Sequence, residues 1–119
     1  MHRTLTGLVA LLLTASALAG CSSSGSDSST SGGAQTIDVT FKGDSVTPNG
    51  DRVEVKLGEP VVLKIDADAP GEIHVHSTPE QEISYPAGQS TEKITIDKPG
   101  VVDVESHHLE KTIVQLEVS

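Results

Sequence analysis

The sequence VEVKLGEPVVLKID, residues 53–66, decides the fold because it contains two alternating apolar patterns, one on each side of a turn. Apolar side chains occupy every second position on both sides of that turn, namely Val53, Val55, Leu57, Val61, Leu63 and Ile65. Alternation with a period of two is typical of β-strands that bury one face. The intervening residues 58–60, Gly-Glu-Pro, interrupt regular structure. Residues 53–66 therefore predict two consecutive strands joined by a turn.

Short runs of the same kind recur from Thr36 to the end of the chain. The predicted strands cover residues 36–41, 53–57, 61–66, 72–76, 91–96, 101–106 and 112–118. Turn signals such as Pro99-Gly100 separate them, and nothing longer than one turn has a helical pattern. Short strands with turn signals roughly every 8–12 residues are typical of sandwiches. We therefore predict an all-β fold, an antiparallel Greek-key β-sandwich of seven or eight strands.

The N-terminus has the three-part layout of an export signal. Arg3 gives it a positive start, residues 5–19 are almost wholly apolar or small, and the run closes on Leu18-Ala19-Gly20-Cys21. The apolar run is too short to predict a membrane span. The LAGC ending resembles the lipobox of bacterial lipoproteins, which implies cleavage before Cys21 and a diacylglycerol on its thiol. The alternative is an ordinary secretory signal that ends near a cysteine, and the Ser/Gly-rich segment that follows favours the lipobox.

This interpretation divides the chain into three parts. Residues 1–20 are the lipoprotein signal peptide, residues 21–35 are the lipidated Cys21 with a flexible tether, and residues 36–119 are the folded domain. The tether has no apolar periodicity and would span roughly 20 Å as a random coil. The resemblance implies a protein held on the extracytoplasmic face of the cell membrane by acyl chains, palmitate among them, because two or more chains are needed for stable anchoring.

Charge and cysteine content exclude several functions. The net charge is −9, and Arg3 would leave with the signal, so the remaining chain would repel nucleic acid and anionic lipid. Cys21 is the only cysteine, so its lipidation would leave the domain without a disulfide, a thiolate metal site or a cysteine nucleophile. The motifs of hydrolases, zinc proteases and nucleotide-binding loops are absent from the sequence. We expect a binding protein and not an enzyme.

Histidines beyond the signal fall into two clusters. His74 and His76 lie on one predicted strand, and His107-His108 directly follow Glu105 and Ser106. Positions i and i+2 of a strand point to the same face about 6.6 Å apart, so His74 and His76 can approach one ion. Imidazole suits Cu(II) and Zn(II), and a glutamate such as Glu105 or Glu72 would add an oxygen ligand. The alternative is surface decoration, since polar residues belong opposite Ile73 and Val75 in any case, and both interpretations stay open.

The order of these motifs resembles that of a known family. It runs through GEPVVL at residues 58–63, a strand carrying histidine, Ala87-Gly88 and PGVVDVESHH at residues 99–108. This order is similar to that of the cupredoxins, in particular the cupredoxin-like lipoproteins and iron-transport-associated domains of bacterial cell envelopes. The resemblance implies that His74 corresponds to the first histidine ligand and Ser106 to the cysteine ligand, with His108 near the second histidine.

The resemblance also implies that the blue-copper function is lost. Ser106 cannot supply the thiolate of a blue-copper centre, and no methionine is left after the signal to serve as the axial ligand. We therefore expect a membrane-anchored binding protein that holds Cu(II) or Zn(II) through His74, His76, His107 and His108, with Glu105 as a further ligand. The alternative is a metal-free β-sandwich adaptor that binds a cell-envelope protein partner.

Overall fold

Nine β-strands form two sheets in the computed structural model, which describes residues 33–119. The strands are β1 Gln35–Lys42, β2 Ser45–Thr47, β3 Asp51–Val55, β4 Pro60–Ala67, β5 Gly71–Val75, β6 Gln81–Tyr85, β7 Gly88–Thr95, β8 Gly100–Ser106 and β9 Lys111–Val118. The predicted signal peptide and Cys21 lie outside the described residues, and β1 begins one residue before the predicted start of the domain. Within residues 33–119, no helix could cross a membrane.

The sandwich prediction is confirmed, but the sheets are mixed and not purely antiparallel. One sheet has the order β2-β1-β4-β7 and the other β3-β9-β8-β5-β6. β1 runs parallel to β4, with Ile37 opposite Leu63, and β3 runs parallel to β9, with Val53 opposite Leu116. The predicted antiparallel direction was wrong for these two pairs, because side chains alternate with a period of two in parallel and antiparallel strands alike. The short strands β2 and β6 were missed.

The core lies between the inner faces of the two sheets. It consists mainly of Val, Ile and Leu at alternate strand positions, and every buried hydrophobic residue of the described part lies between Ile37 and Val118. Phe41 of β1 and Tyr85 of β6 stack with ring centroids 4.8 Å apart and so join the two sheets. Residues 33–119 therefore contain a continuous core of their own.

A β-bulge lies near the start of β9, just after the turn that contains His107 and His108. Val104 pairs with Val114 and Glu105 pairs with Thr112, so Ile113 is the extra residue. The carbonyl oxygen of Ile113 accepts a hydrogen bond from the Gly50 amide at 3.0 Å. The bulge lets both Ile113 and Val114 remain fully buried while Thr112 lies beside Glu105.

The two ends of the sandwich differ. At the N-terminal end, Gln35 pairs with Val61, and the Leu57 amide donates to the carbonyl oxygen of Ser119. β1 has eight residues and therefore extends about 26 Å. It ends near Phe41, which contacts Tyr85 and the ring of His108. We call this opposite end the histidine end, because His107 and His108 lie in its β8–β9 turn.

Candidate metal centre

Strand β5 and the residue directly after it place three polar side chains, Glu72, His74 and His76, on the outer face of the five-stranded sheet. Ile73 and Val75 are completely buried, so the alternating residues Glu72, His74 and His76 point away from the core. His74 is only partly exposed, and His76 is more exposed. The placement of the two histidines opposite Ile73 and Val75 is the one that strand alternation predicts.

Glu72 and His74 form the best-defined pair on this face. The His74 Nε2–H donates to Glu72 Oε1 at 2.8 Å. This hydrogen bond raises the pKa of His74 above its ordinary value. Partial burial opposes the shift, and the negative charges of Glu82, Glu72 and Glu80 add to it. In the absence of a metal ion, His74 is thus surrounded by groups that favour its protonated form.

His107 reaches the same place from the β8–β9 turn. Its backbone amide donates to the carbonyl oxygen of Glu72 at 3.0 Å, which fixes the turn against β5. The rings of His74 and His107 stack with centroids 4.6 Å apart and planes inclined by 22°. One ligand atom each from Glu72, His74 and His107 then lies within 4.8 Å of the other two.

That spacing is close to what a bound ion requires. Nitrogen and oxygen ligands bind Zn(II) at about 2.0–2.2 Å, which places the ligand atoms of a tetrahedral site about 3.3–3.6 Å apart. His107 is exposed and Glu72 and His74 are half-buried, so side-chain rotation on binding an ion would have to close the remaining gap. The Glu72–His74–His107 group is therefore a candidate metal centre built from two imidazoles and one carboxylate.

His76 lies next to this group but takes part in different contacts. Its Nε2–H donates to Glu105 Oε2 at 2.9 Å, and Thr112 Oγ1 donates to Glu105 Oε1 at 3.4 Å. The His74 and His76 ring centroids are 6.3 Å apart, with planes inclined by 57°. His76 and Glu105, both predicted as ligands, thus form a separate pair beside the three-residue group.

His108 turns away from its neighbour His107. It lies over Gly71, where an added Cβ would overlap the Tyr85 hydroxyl and lie 3.1 Å from Cε1 of His108. Its ring centroid is 6.4 Å from that of Phe41. An open cleft of about 450 Å³ is lined by Pro70, Gly71, Glu72, Ser84, His107 and His108. The structure therefore brings His107, and not His108, to His74.

Comparison with known proteins rests on structure alone. No family profile and no curated protein matches the sequence. A methionine-to-alanine mutant of amicyanin in its Cu(I) form superposes with a TM-score of 0.54 at 15% identity, covering 76% of this chain and 87% of that chain. The purple cupredoxin from Nitrosopumilus maritimus gives 0.51 at 18% identity, covering 71% and 99%.

The domain has a cupredoxin-like fold. At this identity the likeness extends to the fold and assigns no ligand. The predicted cupredoxin-like sandwich is confirmed at that level.

The ligand correspondence implied by the sequence resemblance does not form one site in this cupredoxin-like domain. Ser106 is 1% exposed on the inner face, opposite Ile73 in the β5–β8 register, whereas His74 lies on the outer face. The two side chains are separated by the sheet itself. Residues 33–119 also contain no cysteine or methionine. The described residues therefore do not fit a blue-copper centre, and the Glu72–His74–His107 group lies on the face of the sheet opposite to Ser106.

Two further carboxylates at the group were missed from the sequence. Glu82 of β6 pairs with His74 in the β5–β6 register, and its Oε1 lies 3.5 Å from His74 Nε2. Glu80, in the preceding loop, places Oε1 3.4 Å from His74 Nδ1 and 3.9 Å from His76 Nδ1. Glu80 and Glu82 could have been located if β6 had been predicted as a strand that pairs with β5.

Proposed function

We propose that this protein is a membrane-anchored, extracytoplasmic binding protein that holds a divalent metal ion, Cu(II) or Zn(II). The observation that carries the proposal is the convergence of Glu72, His74 and His107 within 4.8 Å. Two imidazoles and a carboxylate are a donor set that suits both metals. We further propose that the protein is neither a blue-copper electron carrier nor an enzyme.

The anchoring part of the proposal is supported by the N-terminal sequence. The LAGC motif and the Ser/Gly-rich tether after Cys21 are typical of an acylated protein. A net charge of −9 leaves acyl chains, and not a basic surface, as the means of attachment to anionic lipid. A protein partner in the cell envelope would deliver or receive the metal.

A second candidate function is a metal-free adaptor that binds a cell-envelope protein. The contacts of His74 favour it, because carboxylates lie near both ring nitrogens, as they would around an imidazolium. In that case the cluster is a network of ion pairs on the surface of the sheet. Such exposed pairs contribute little stability, so they would serve mainly to shape a binding surface.

Metal titration separates the two functions. We would titrate Zn(II) and Cu(II) by calorimetry into residues 22–119, a segment that includes the complete core described above. The metal-binding protein should bind one ion per chain, and His74→Ala and His107→Ala should each weaken binding at least about tenfold. His76→Ala is the matched control and should change affinity little. Equal, weak binding by all four proteins would contradict metal binding and support the adaptor.

A further inference from the structure

We propose that Glu82 is the fourth ligand of this centre and that Glu80 holds His74 in the orientation for metal binding. The inference rests on the proposed function and specifies how the ion is held. It assigns roles to two residues outside the three-residue group, one from strand β6 and one from the loop before it. The centre that results has two imidazoles and two carboxylates.

The distance from Glu82 to His74 matches the separation of two ligands of one metal ion. Its Oε1 lies 3.5 Å from His74 Nε2, and Glu72 Oε1 lies 2.8 Å from the same nitrogen. A tetrahedral ion with bonds of about 2.0–2.2 Å separates its ligand atoms by about 3.3–3.6 Å. The β5–β6 pairing places His74 directly opposite Glu82, so the backbone holds this separation. His74 Nε2 is therefore the nitrogen around which carboxylate oxygens gather.

Glu82 is also free to move toward an ion. Its side chain is 65% exposed, compared with 35% for Glu72 and 18% for His74. Glu82 lies outside the three-residue group whose ligand atoms are within 4.8 Å of one another, so its exposed carboxylate would have to rotate toward Glu72 and His107 when the ion binds. Two carboxylates balance the charge of a divalent ion, which lowers the cost of partly desolvating it.

Glu80 lies on the other nitrogen of the same ring. Its Oε1 is 3.4 Å from His74 Nδ1, on the side opposite Nε2. A ligating histidine usually donates its second N–H to a carboxylate, which fixes the tautomer and the ring orientation. With Nε2 bound to metal, Nδ1–H donates to Glu80. Glu80 is thus a positioning residue and does not touch the ion.

Four protein ligands would give the centre a definite role. Structural zinc sites have four protein ligands, whereas catalytic sites keep one position for water or substrate. A centre completed by Glu82 has no such position. It would hold the ion for storage or transfer, and it would not activate water.

The experiment compares charge-matched variants of residues 22–119. Glu82→Gln removes the proposed ligand, and Glu80→Gln removes the positioning carboxylate. Glu54→Gln makes the same change in charge at an exposed position of β3 and is the control. Zn(II) affinity would be measured by competition with a chelator, and the visible spectrum of the Co(II)-loaded protein would report coordination number. Circular dichroism would verify that each variant is folded.

We expect Glu82→Gln to lower Zn(II) affinity about ten- to hundredfold and to weaken the visible Co(II) bands, because water enters and the coordination number rises. Glu80→Gln should lower affinity about tenfold but leave the four-coordinate Co(II) spectrum intact. Glu54→Gln should match the unsubstituted protein in both measurements.

The outcomes also separate this inference from the proposed function. If His74→Ala abolishes binding while Glu82→Gln behaves like Glu54→Gln, the fourth-ligand assignment is wrong and the metal-binding function stands. If Glu80→Gln changes the Co(II) spectrum as Glu82→Gln does, its role as a positioning residue is wrong. If the unsubstituted protein binds no metal, both the function and the inference are overturned.

Discussion

His107 and His108 are neighbours in sequence, yet they belong to different environments. His107 stacks on His74 at 4.6 Å on the outer face of the five-stranded sheet. His108 lies over Gly71 and beside Phe41, at the end of the core. His107 thus belongs to the candidate metal centre, whereas His108 packs near Phe41 and Tyr85. The two residues should respond differently to substitution.

The first prediction concerns the protonation of His74 in the metal-free protein. Its pKa is raised, chiefly by the hydrogen bond to Glu72, so Glu72→Gln should lower the midpoint of its titration. Because the folded pKa is the higher one, the resulting stabilisation is fully present below the unfolded pKa. It is lost as pH rises through the folded pKa.

NMR titration of the histidine ring protons would follow the midpoint, and urea unfolding at several pH values would follow stability. Glu54→Gln is the control for the change in net charge. A His74 midpoint that is no higher than in Glu72→Gln would contradict the hydrogen-bonded geometry.

The second prediction concerns the buried hydroxyl of Tyr85. It finds no hydrogen-bond partner among the described residues, and burial raises the pKa of Tyr85, with the charge of Asp68 adding to the effect. Removal of an unsatisfied buried hydroxyl is neutral or stabilising, so Tyr85→Phe should raise the free energy of unfolding by up to about 1 kcal/mol. Urea denaturation measures this, and a loss of more than about 1 kcal/mol would show that the hydroxyl has a partner.

The third prediction concerns Gly71, which lies against the same hydroxyl. An added Cβ would overlap the Tyr85 hydroxyl and lie 2.6 Å from its Cζ. Gly71→Ala should therefore destabilise the domain by about 1–3 kcal/mol, as overpacking usually does. The comparison is Gly43→Ala, where the added Cβ meets nothing within 4 Å although φ is positive. Gly43→Ala therefore reports backbone strain without a close contact, whereas Gly71 has no positive φ, and thermal or urea unfolding would measure both. An unchanged stability of Gly71→Ala would contradict the close contact with Tyr85.

The fourth prediction concerns Ser106, which stands at the position of the cysteine ligand implied by the resemblance to cupredoxins. Ser106→Cys should not create an intense blue Cu(II) band, because His74 lies on the other face of the sheet. Absorption spectroscopy of residues 22–119 carrying this substitution provides the measurement. A strong thiolate-to-copper band would mean that the inner face can assemble the ligands that the described geometry separates.

The fifth prediction concerns Glu110, the one non-glycine residue among those described with a positive φ, at 52°. Left-handed backbone costs an ordinary residue roughly 1 kcal/mol, whereas glycine adopts it readily. Glu110→Gly should therefore stabilise the β8–β9 turn by about 0.5–1 kcal/mol, and urea unfolding would measure the gain. A clear loss of stability would indicate that the Glu110 side chain has a favourable role in the turn.

Much of the fold follows from alternation in the sequence. Val61, Leu63 and Ile65 predicted β4 and its buried face, and the same rule places His74 and His76 outward. It was harder to predict which strands pair, because the parallel pairing of β1 with β4 depends on contacts between segments that are distant in sequence. No local pattern records that pairing, and the predicted all-antiparallel sheets were wrong for that reason.

The candidate site was only partly accessible from the sequence. Its histidines and Glu72 could be named because imidazole and carboxylate are common metal ligands, although the same residues also fit a polar strand surface. Glu82 could not, because β6 has too weak an alternation to be recognised, and only its pairing with β5 brings Glu82 to His74. The different directions of His107 and His108 could not be predicted, because both lie in the β8–β9 turn, where the strand period no longer applies.

The direction of β1 determines which end of the domain lies near the candidate metal centre. β1 starts at the N-terminal end and runs about 26 Å to the histidine end. An anchor on the N-terminal side of Gln35, as we propose, would therefore leave the end of the domain near His107 open to a partner in solution.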